Sequence, residues 1–213
     1  MKKLSVGRLA VIIPLGAVAV LALWAAQTPA STPAIASWVT TGTFARCNVD
    51  FTSIHNIDFP TTGPFTTLGQ TDSPELVIEV GPTSINGQGL KVADLYVRQI
   101  AGHGIAEGLG NTYFWLDTSR PVVSTLQQKT TASEFPAIEE VRFHFLFRAD
   151  ALPGQTFRSR NPAVMRSDNV GAFPPPPGTI FNLKNAVDLE DVANPGTTAG
   201  RVTGNRVVVP AAG

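Results

Sequence analysis

Ala137-Ile138-Glu139-Glu140-Val141-Arg142-Phe143-His144-Phe145-Leu146-Phe147-Arg148-Ala149 is the stretch that decides the fold class. Val141, Phe143, Phe145 and Phe147 recur at every second position, with Arg142, His144, Leu146 and Arg148 between them. A period of two is the signature of a half-buried strand, because successive side chains leave a pleated backbone on opposite faces. Full burial of one Phe contributes about 1.5–3 kcal/mol, so three on one face mark the centre of a core. His144 falls on the arginine face and is expected to be polar and outward. Glu139 and Glu140 open the strand; adjacent residues point to opposite faces and cannot form one carboxylate pair, and both are expected to be solvated.

Outward from this strand the same period returns. Cys47, Val49 and Phe51 alternate with Arg46, Asn48 and Asp50, which makes Cys47 a small core hydrophobe rather than a reactive thiol. Further strands are expected at Glu75 to Val80, Leu90 to Ile100, Thr112 to Asp117, Thr156 to Arg160, Ile180 to Leu183, Ala186 to Leu189 and Arg201 to Val209. Asp94 breaks the alternation of the Leu90 to Ile100 segment and suggests a bulge. Asn86-Gly87 and Gly110-Asn111 are tight-turn signals. Residues 102–110, GHGIAEGLG, read as a helical turn or a flexible loop. Phe173-Pro174-Pro175-Pro176-Pro177-Gly178 cannot enter a central sheet, because proline lacks the amide donor, and reads as a surface polyproline loop. Nine or ten short strands with almost no helix predict an all-β fold: a single-domain antiparallel β-sandwich or jelly roll over residues 37–213.

The N-terminus has a different character. Lys2, Lys3 and Arg8 precede an apolar run from Leu9 to Ala26, and Ala34-Ile35-Ala36 offers small residues before Ser37. A basic start, an apolar centre and a small-residue exit describe a secretory signal peptide over residues 1–36. The alternative is a retained anchor, since the run is just long enough to span a bilayer; Pro14, Gly16 and the exit favour cleavage, which leaves no membrane span. The product is expected to be secreted or held in the cell envelope, extracellular or periplasmic. Removing the three leader cations from sixteen leaves thirteen Lys and Arg against sixteen Asp and Glu, a balance that argues against nucleic acid. With one cysteine there is no internal disulfide, so the core alone must hold the domain.

No reaction motif stands out. There is no G-x-S-x-G, no H-x-H and no H-E-x-x-H. Cys47, His55 and Asp58 fit no closed zinc spacing, and Met165 falls in the wrong order for a copper site. Asp188, Glu190 and Asp191 supply hard oxygens without the spacing of a calcium loop. No metal, cofactor or catalytic residue is therefore assigned. Binding candidates are fewer and clearer. Tyr113 and Trp115 share a strand face and, if Phe114 points inward, form an exposed pair suited to a sugar ring or a partner protein's apolar patch. His103 is flanked by Gly102 and Gly104, which would let a ligand approach the backbone. Arg158 and Arg160 share a strand face; guanidinium groups suit carboxylate or phosphate, though pairing with nearby acids would occupy them.

The sequence therefore predicts an exported, non-enzymatic binding or structural protein with a carbohydrate or a protein surface as ligand. The alternative is a secreted hydrolase whose site assembles from distant residues among His55, His103, Glu107 and Asp117. A subunit of a surface assembly joined through sheet edges is the third reading.

Overall fold

The computed structural model describes residues 38–48, 55–59, 63–70, 75–106, 108–204 and 206–210; for 47–48, 55–58, 63–70 and 75 the backbone alone is described. Residues 1–36, expected from the sequence to be a signal peptide, lie outside the described residues, as do the side chains of Cys47, His55, Asp58 and Glu107.

Sixteen strands account for the described residues, more than the nine or ten predicted, and no helix occurs among them. In chain order they are β1 (Phe44–Asn48), β2 (His55–Phe59), β3 (Gly63–Gln70), β4 (Glu75–Ile85), β5 (Lys91–Gln99) and β6 (Ala101–Ala106). Then come β7 (Gly110–Leu116), β8 (Val123–Thr130), β9 (Ser133–Phe143), β10 (Phe145–Ala149) and β11 (Phe157–Ser159). The last are β12 (Ala163–Val170), β13 (Ile180–Leu183), β14 (Val187–Asp191), β15 (Asn194–Gly204) and β16 (Arg206–Val208).

All pairings among the described residues are antiparallel, and they form two sheets. One is an open eight-stranded sheet in the order β1-β4-β5-β8-β9-β12-β13-β16. The other closes on itself in the order β10-β11-β14-β15-β2-β3-β6-β7, with β7 returning to pair with β10. Closure removes the exposed edges of the second sheet. The expected all-β, antiparallel, sandwich-like domain is what the chain forms.

The strand count exceeds the sequence reading for one physical reason: long extended segments cross from one sheet to the other. β9 and β10 are one segment interrupted only at His144, and β5 and β6 are one segment interrupted at Ile100. The alternation persists through the break. Ala137, Glu139, Val141, Phe143, Phe145, Phe147 and Ala149 are all buried. Phe143 is thus the last inward residue of the open sheet and Phe145 the first of the barrel, their ring centroids 6.2 Å apart. Inside the barrel, Phe59 lies 4.9 Å from Phe157 and 6.2 Å from Phe147, so its interior is filled with rings rather than open. One continuous cluster of buried apolar side chains serves both sheets.

Several local expectations change. The described residues of 102–110 are not helical: 102–106 belong to β6, Gly108 and Leu109 lie in a turn and Gly110 opens β7, with Gly108 and Gly110 at φ of 79° and 70°. The expected bulge does fall at Asp94, but the extra residue is on β4, where Gly81 and Pro82 lie opposite Asp94 between Val80 and Thr83; a second register shift lies between Val77 and Ile78, and the pairing of β5 with β8 is unbroken. The turn before β5 uses Gly89, at φ 77°, while the Asn86 side-chain oxygen accepts from the amides of Gln88 and Leu90. The proline-rich segment does avoid the sheets, but it is not wholly at the surface, for Pro175 is buried.

Candidate functional site

Glu139 was expected to be solvated. It is completely buried, because its parity on β9 places it with Ala137, Val141 and Phe143 on the inner face of the open sheet. The signal was present in the sequence: the same alternation that put Val141 and Phe143 inside puts Glu139 there too. Neither carboxyl oxygen has a hydrogen-bond partner among the described residues. Desolvation pushes its pKa up to about 8, so the carboxyl is protonated at neutral pH.

Glu139 also lines a narrow pocket of about 30 Å³, together with Leu76, Ile100, Val141, Phe143, Met165, Pro175, Phe181, Val207 and Val209, but its carboxyl oxygens are closed off from that space. These residues come from the β4 end of the sheet, from its centre and from the β16 end. The pocket therefore lies inside the curl of the open sheet. Along β9 it runs from Phe143, at the junction with the barrel, to Glu139, a distance of about 14 Å at the rise of an extended strand. Every lining residue except Glu139 is apolar. In register, Glu139 stands between Leu126 on β8 and Ser167 on β12, and Ser167 makes no hydrogen bond to it.

Glu140 lies on the opposite face, but it is mostly covered and ion-paired rather than freely solvated. It points outward between Arg142, at 2.5 Å, and Arg166, at 2.8 Å, and their hydrogen bonds hold its carboxyl below the ordinary carboxylate range.

The candidates read from the sequence fall on the barrel's outer surface. Tyr113 is exposed and Trp115 half-buried on one face of β7, and Phe114 on the other face packs against the core. His103, paired in register with Tyr113, stacks on its ring with centroids 4.6 Å apart and planes 11° apart. Its Nε2 lies 3.2 Å from the Asn111 side-chain oxygen, and Asn111 donates in turn to Asp150 at 2.6 Å. The Arg148 guanidinium lies 5.4 Å from the Trp115 ring centroid. Tyr113, Trp115, Arg148, Asp150 and Gln155 border a shallow depression. The glycine beside His103 has a packing role: a Cβ on Gly102 would lie 2.1 Å from Phe114 Cε1, so the ring, not a ligand, occupies that space.

Arg158 and Arg160 converge on one acid. Arg158 donates to Glu190 at 2.7 Å, and Arg160 lies 3.6 Å from the other Glu190 oxygen. Glu190 also accepts from the Gly196 amide, and these contacts lower its pKa. Asp188 pairs with Arg201 at 2.6 Å. Two of the acids considered for calcium thus face arginines.

His144 departs from expectation by being buried. It occupies the break between β9 and β10, where its carbonyl accepts from the Asp117 amide at 2.9 Å. Its Nδ1 lies 3.0 Å from Ser159 Oγ and 3.3 Å from the Ser159 carbonyl. A serine beside a histidine is the geometry of an activated nucleophile. Here Ser159 is fully buried and its Oγ accepts from the Phe145 amide, so the pair clasps the junction instead. Arg120 closes the same junction by donating to the carbonyls of Ser159 and Arg160. Asp117 is placed beside His144 and not beside His103.

No known protein-family model matches the chain, and no curated protein sequence matches it. Its fold is similar to that of DynF from the dynemicin biosynthesis pathway of Micromonospora chersina, with a TM-score of 0.65 and 15% sequence identity over 85% of this chain and 86% of that one. At that identity the likeness is one of fold.

Proposed function

We propose that this chain is an exported, non-enzymatic binding protein, and that its site is the pocket at Glu139, which takes a small, mainly apolar molecule. The observation that carries this reading is an apolar pocket one of whose wall residues, Glu139, is fully buried with both carboxyl oxygens unpartnered among the described residues. Such a group costs stability, since a buried polar atom forfeits its hydrogen bonds to water. A fold keeps such a group at that cost where it serves recognition. Water is a poor occupant, because a buried water needs two to four polar partners and these walls expose none. An apolar molecule matches these walls. The leader-like N-terminus is what supports export, and the absence of a reaction motif in the sequence supports binding over catalysis.

Xenon is a suitable first probe, as it enters apolar cavities without needing a polar contact. Purified protein equilibrated with xenon should show methyl resonance shifts at Leu76, Val141, Met165 and Val207. Shifts confined to residues elsewhere, or none at all, would remove the pocket as the site.

A further inference from the structure

We infer that the barrel carries a second site, sharing no residue with the pocket at Glu139, and that it binds a neutral saccharide unit with adjacent hydroxyl groups. The site is the depression bordered by Tyr113, Trp115, Arg148, Asp150 and Gln155, which is open to solvent and measures about 680 Å³, a size usual for small-molecule sites. Its floor is sheet: Tyr113 and Trp115 share one face of β7, and Arg148 on β10 stands beside Tyr113 in register. The turn at 150–155 forms its wall.

The polar groups select the ligand class. The charges balance, with one cation in Arg148 and one anion in Asp150, so a charged ligand drawn by one is opposed by the other. Both have hydrogen-bonding capacity to spare among the described residues. Arg148 donates from Nε to Thr156 Oγ1 at 2.8 Å and makes no further hydrogen bond. Asp150 accepts from Asn111 at Oδ2, which leaves Oδ1. The Tyr113 hydroxyl, the Trp115 indole N–H and the Gln155 side chain make no hydrogen bond among the described residues. A hydroxyl both donates and accepts, so neighbouring hydroxyls meet the acid, the guanidinium and the amide together. A carboxylate only accepts, and an ammonium only donates.

The rings supply the apolar half. His103 stacks on Tyr113 from the β6 side, and the depression, which Tyr113 borders and His103 does not, lies on the β10 side. One face of the tyrosine is thus held by the histidine, with its second face on the side of the depression. The Arg148 guanidinium, 5.4 Å from the Trp115 ring centroid, is braced in a similar way. Groups braced before binding lose little freedom when a ligand arrives. The C–H face of a sugar ring is apolar and complements the electron-rich face of an aromatic ring.

The methyl glycosides of glucose, galactose and mannose, titrated to high millimolar concentration into the purified protein, test this. The readout is the Trp115 indole N–H resonance, assigned by its loss in Trp115→Phe. At least one glycoside should shift it saturably. Cyclohexanol, a ring of similar size with one hydroxyl, should bind at least fivefold more weakly, and the uronic acid and 2-amino sugar of the same hexose no more tightly. Tyr113→Ala, Arg148→Gln and Asp150→Asn change exposed side chains and should each weaken binding several-fold while the circular dichroism spectrum stays that of the parent. No shift with any glycoside, or binding indifferent to all three substitutions, would overturn the site. Cyclohexanol matching the glycoside, or a charged analogue exceeding it, would overturn the ligand class. Trp115 shifts that appear only as the protein itself is concentrated would mark this face as a protein contact and overturn the proposal as well. None of these outcomes bears on xenon binding at the Glu139 pocket.

Discussion

Glu139 and Glu140 are neighbours in sequence and opposites in environment: the first is sealed among apolar side chains without a partner, and the second sits outside between Arg142 and Arg166. Their titrations move in opposite directions for that reason. Burial raises the Glu139 pKa from 4.5 to about 8, and hydrogen bonding to Arg142 and Arg166 lowers that of Glu140. Below 4.5 Glu139 is protonated folded and unfolded, and its full contribution is present. Between 4.5 and about 8 the unfolded chain releases that proton and the folded chain holds it, so stability falls as pH rises. Glu140 contributes above its ordinary pKa and loses that contribution as pH falls. Urea unfolding from pH 3 to 9 should therefore show Glu139→Gln removing the loss on the alkaline side and Glu140→Gln removing part of the loss on the acid side. Parallel profiles for the two variants would contradict the burial assigned to Glu139.

Replacing Glu139 by an apolar residue should stabilise the fold. A leucine at this position would fill the same space without a desolvated carboxyl, and removing an unsatisfied buried polar group of this kind relieves a penalty of about 1–3 kcal/mol. In a domain of this size that raises the midpoint by several degrees. A thermal scan of Glu139→Leu at pH 7 checks it. A lower midpoint would mean that the carboxyl has a stabilising partner, and with it the main support for the binding site would be lost.

The fold class was legible because one physical cause, burial of alternate side chains, governs Ala137 to Ala149 over its whole length. What that period could not reveal is where a strand leaves one sheet and enters another. Nothing in the alternation changes at His144, since Phe143 and Phe145 continue the same inward row. The chain there is pinned by Asp117 and Arg120 from one turn and by Ser159 from another segment, which no local pattern announces. Glu139 was missed for a different reason. A glutamate at a strand start is usually solvated, and that composition rule was given precedence over the parity of its neighbours. The aromatic face was read correctly as a face. Its stacking of His103 on Tyr113 depends on the β6–β7 register, which a reading of this stretch as a loop or helical turn hides.

Gly102 tests the reinterpretation of the glycines around His103. Its cross-strand partner is Phe114, whose ring occupies the space of a Cβ. Gly102→Ala must displace that ring from the barrel wall, and overpacking of this kind costs about 1–3 kcal/mol. Phe114→Leu in the same chain should recover part of the loss, as the two changes share one contact. A Gly102→Ala protein as stable as the parent would show that the close approach is not a packing constraint.

His144 sets the acid side of the junction between the sheets. Burial first, and the nearby Arg120 charge second, lower its pKa below 6.5, against the opposing pull of the Ser159 carbonyl and Asp117. The folded chain therefore holds the imidazole neutral, while the unfolded chain protonates it at its ordinary value. Its contribution is present above 6.5 and is lost as pH falls from there through the lowered folded value. Glutamine retains a donor for the Ser159 carbonyl without titrating in this range. The difference in unfolding free energy between the parent and His144→Gln should favour the parent most above pH 6.5 and shrink toward pH 5. Because Arg120 and His144 both meet at Ser159, Arg120→Gln should soften this dependence by removing one of the two influences that keep the imidazole uncharged. If the difference between parent and His144→Gln stayed constant from pH 5 to 8, His144 would not titrate on unfolding, and the clasp would owe its stability to hydrogen bonding alone.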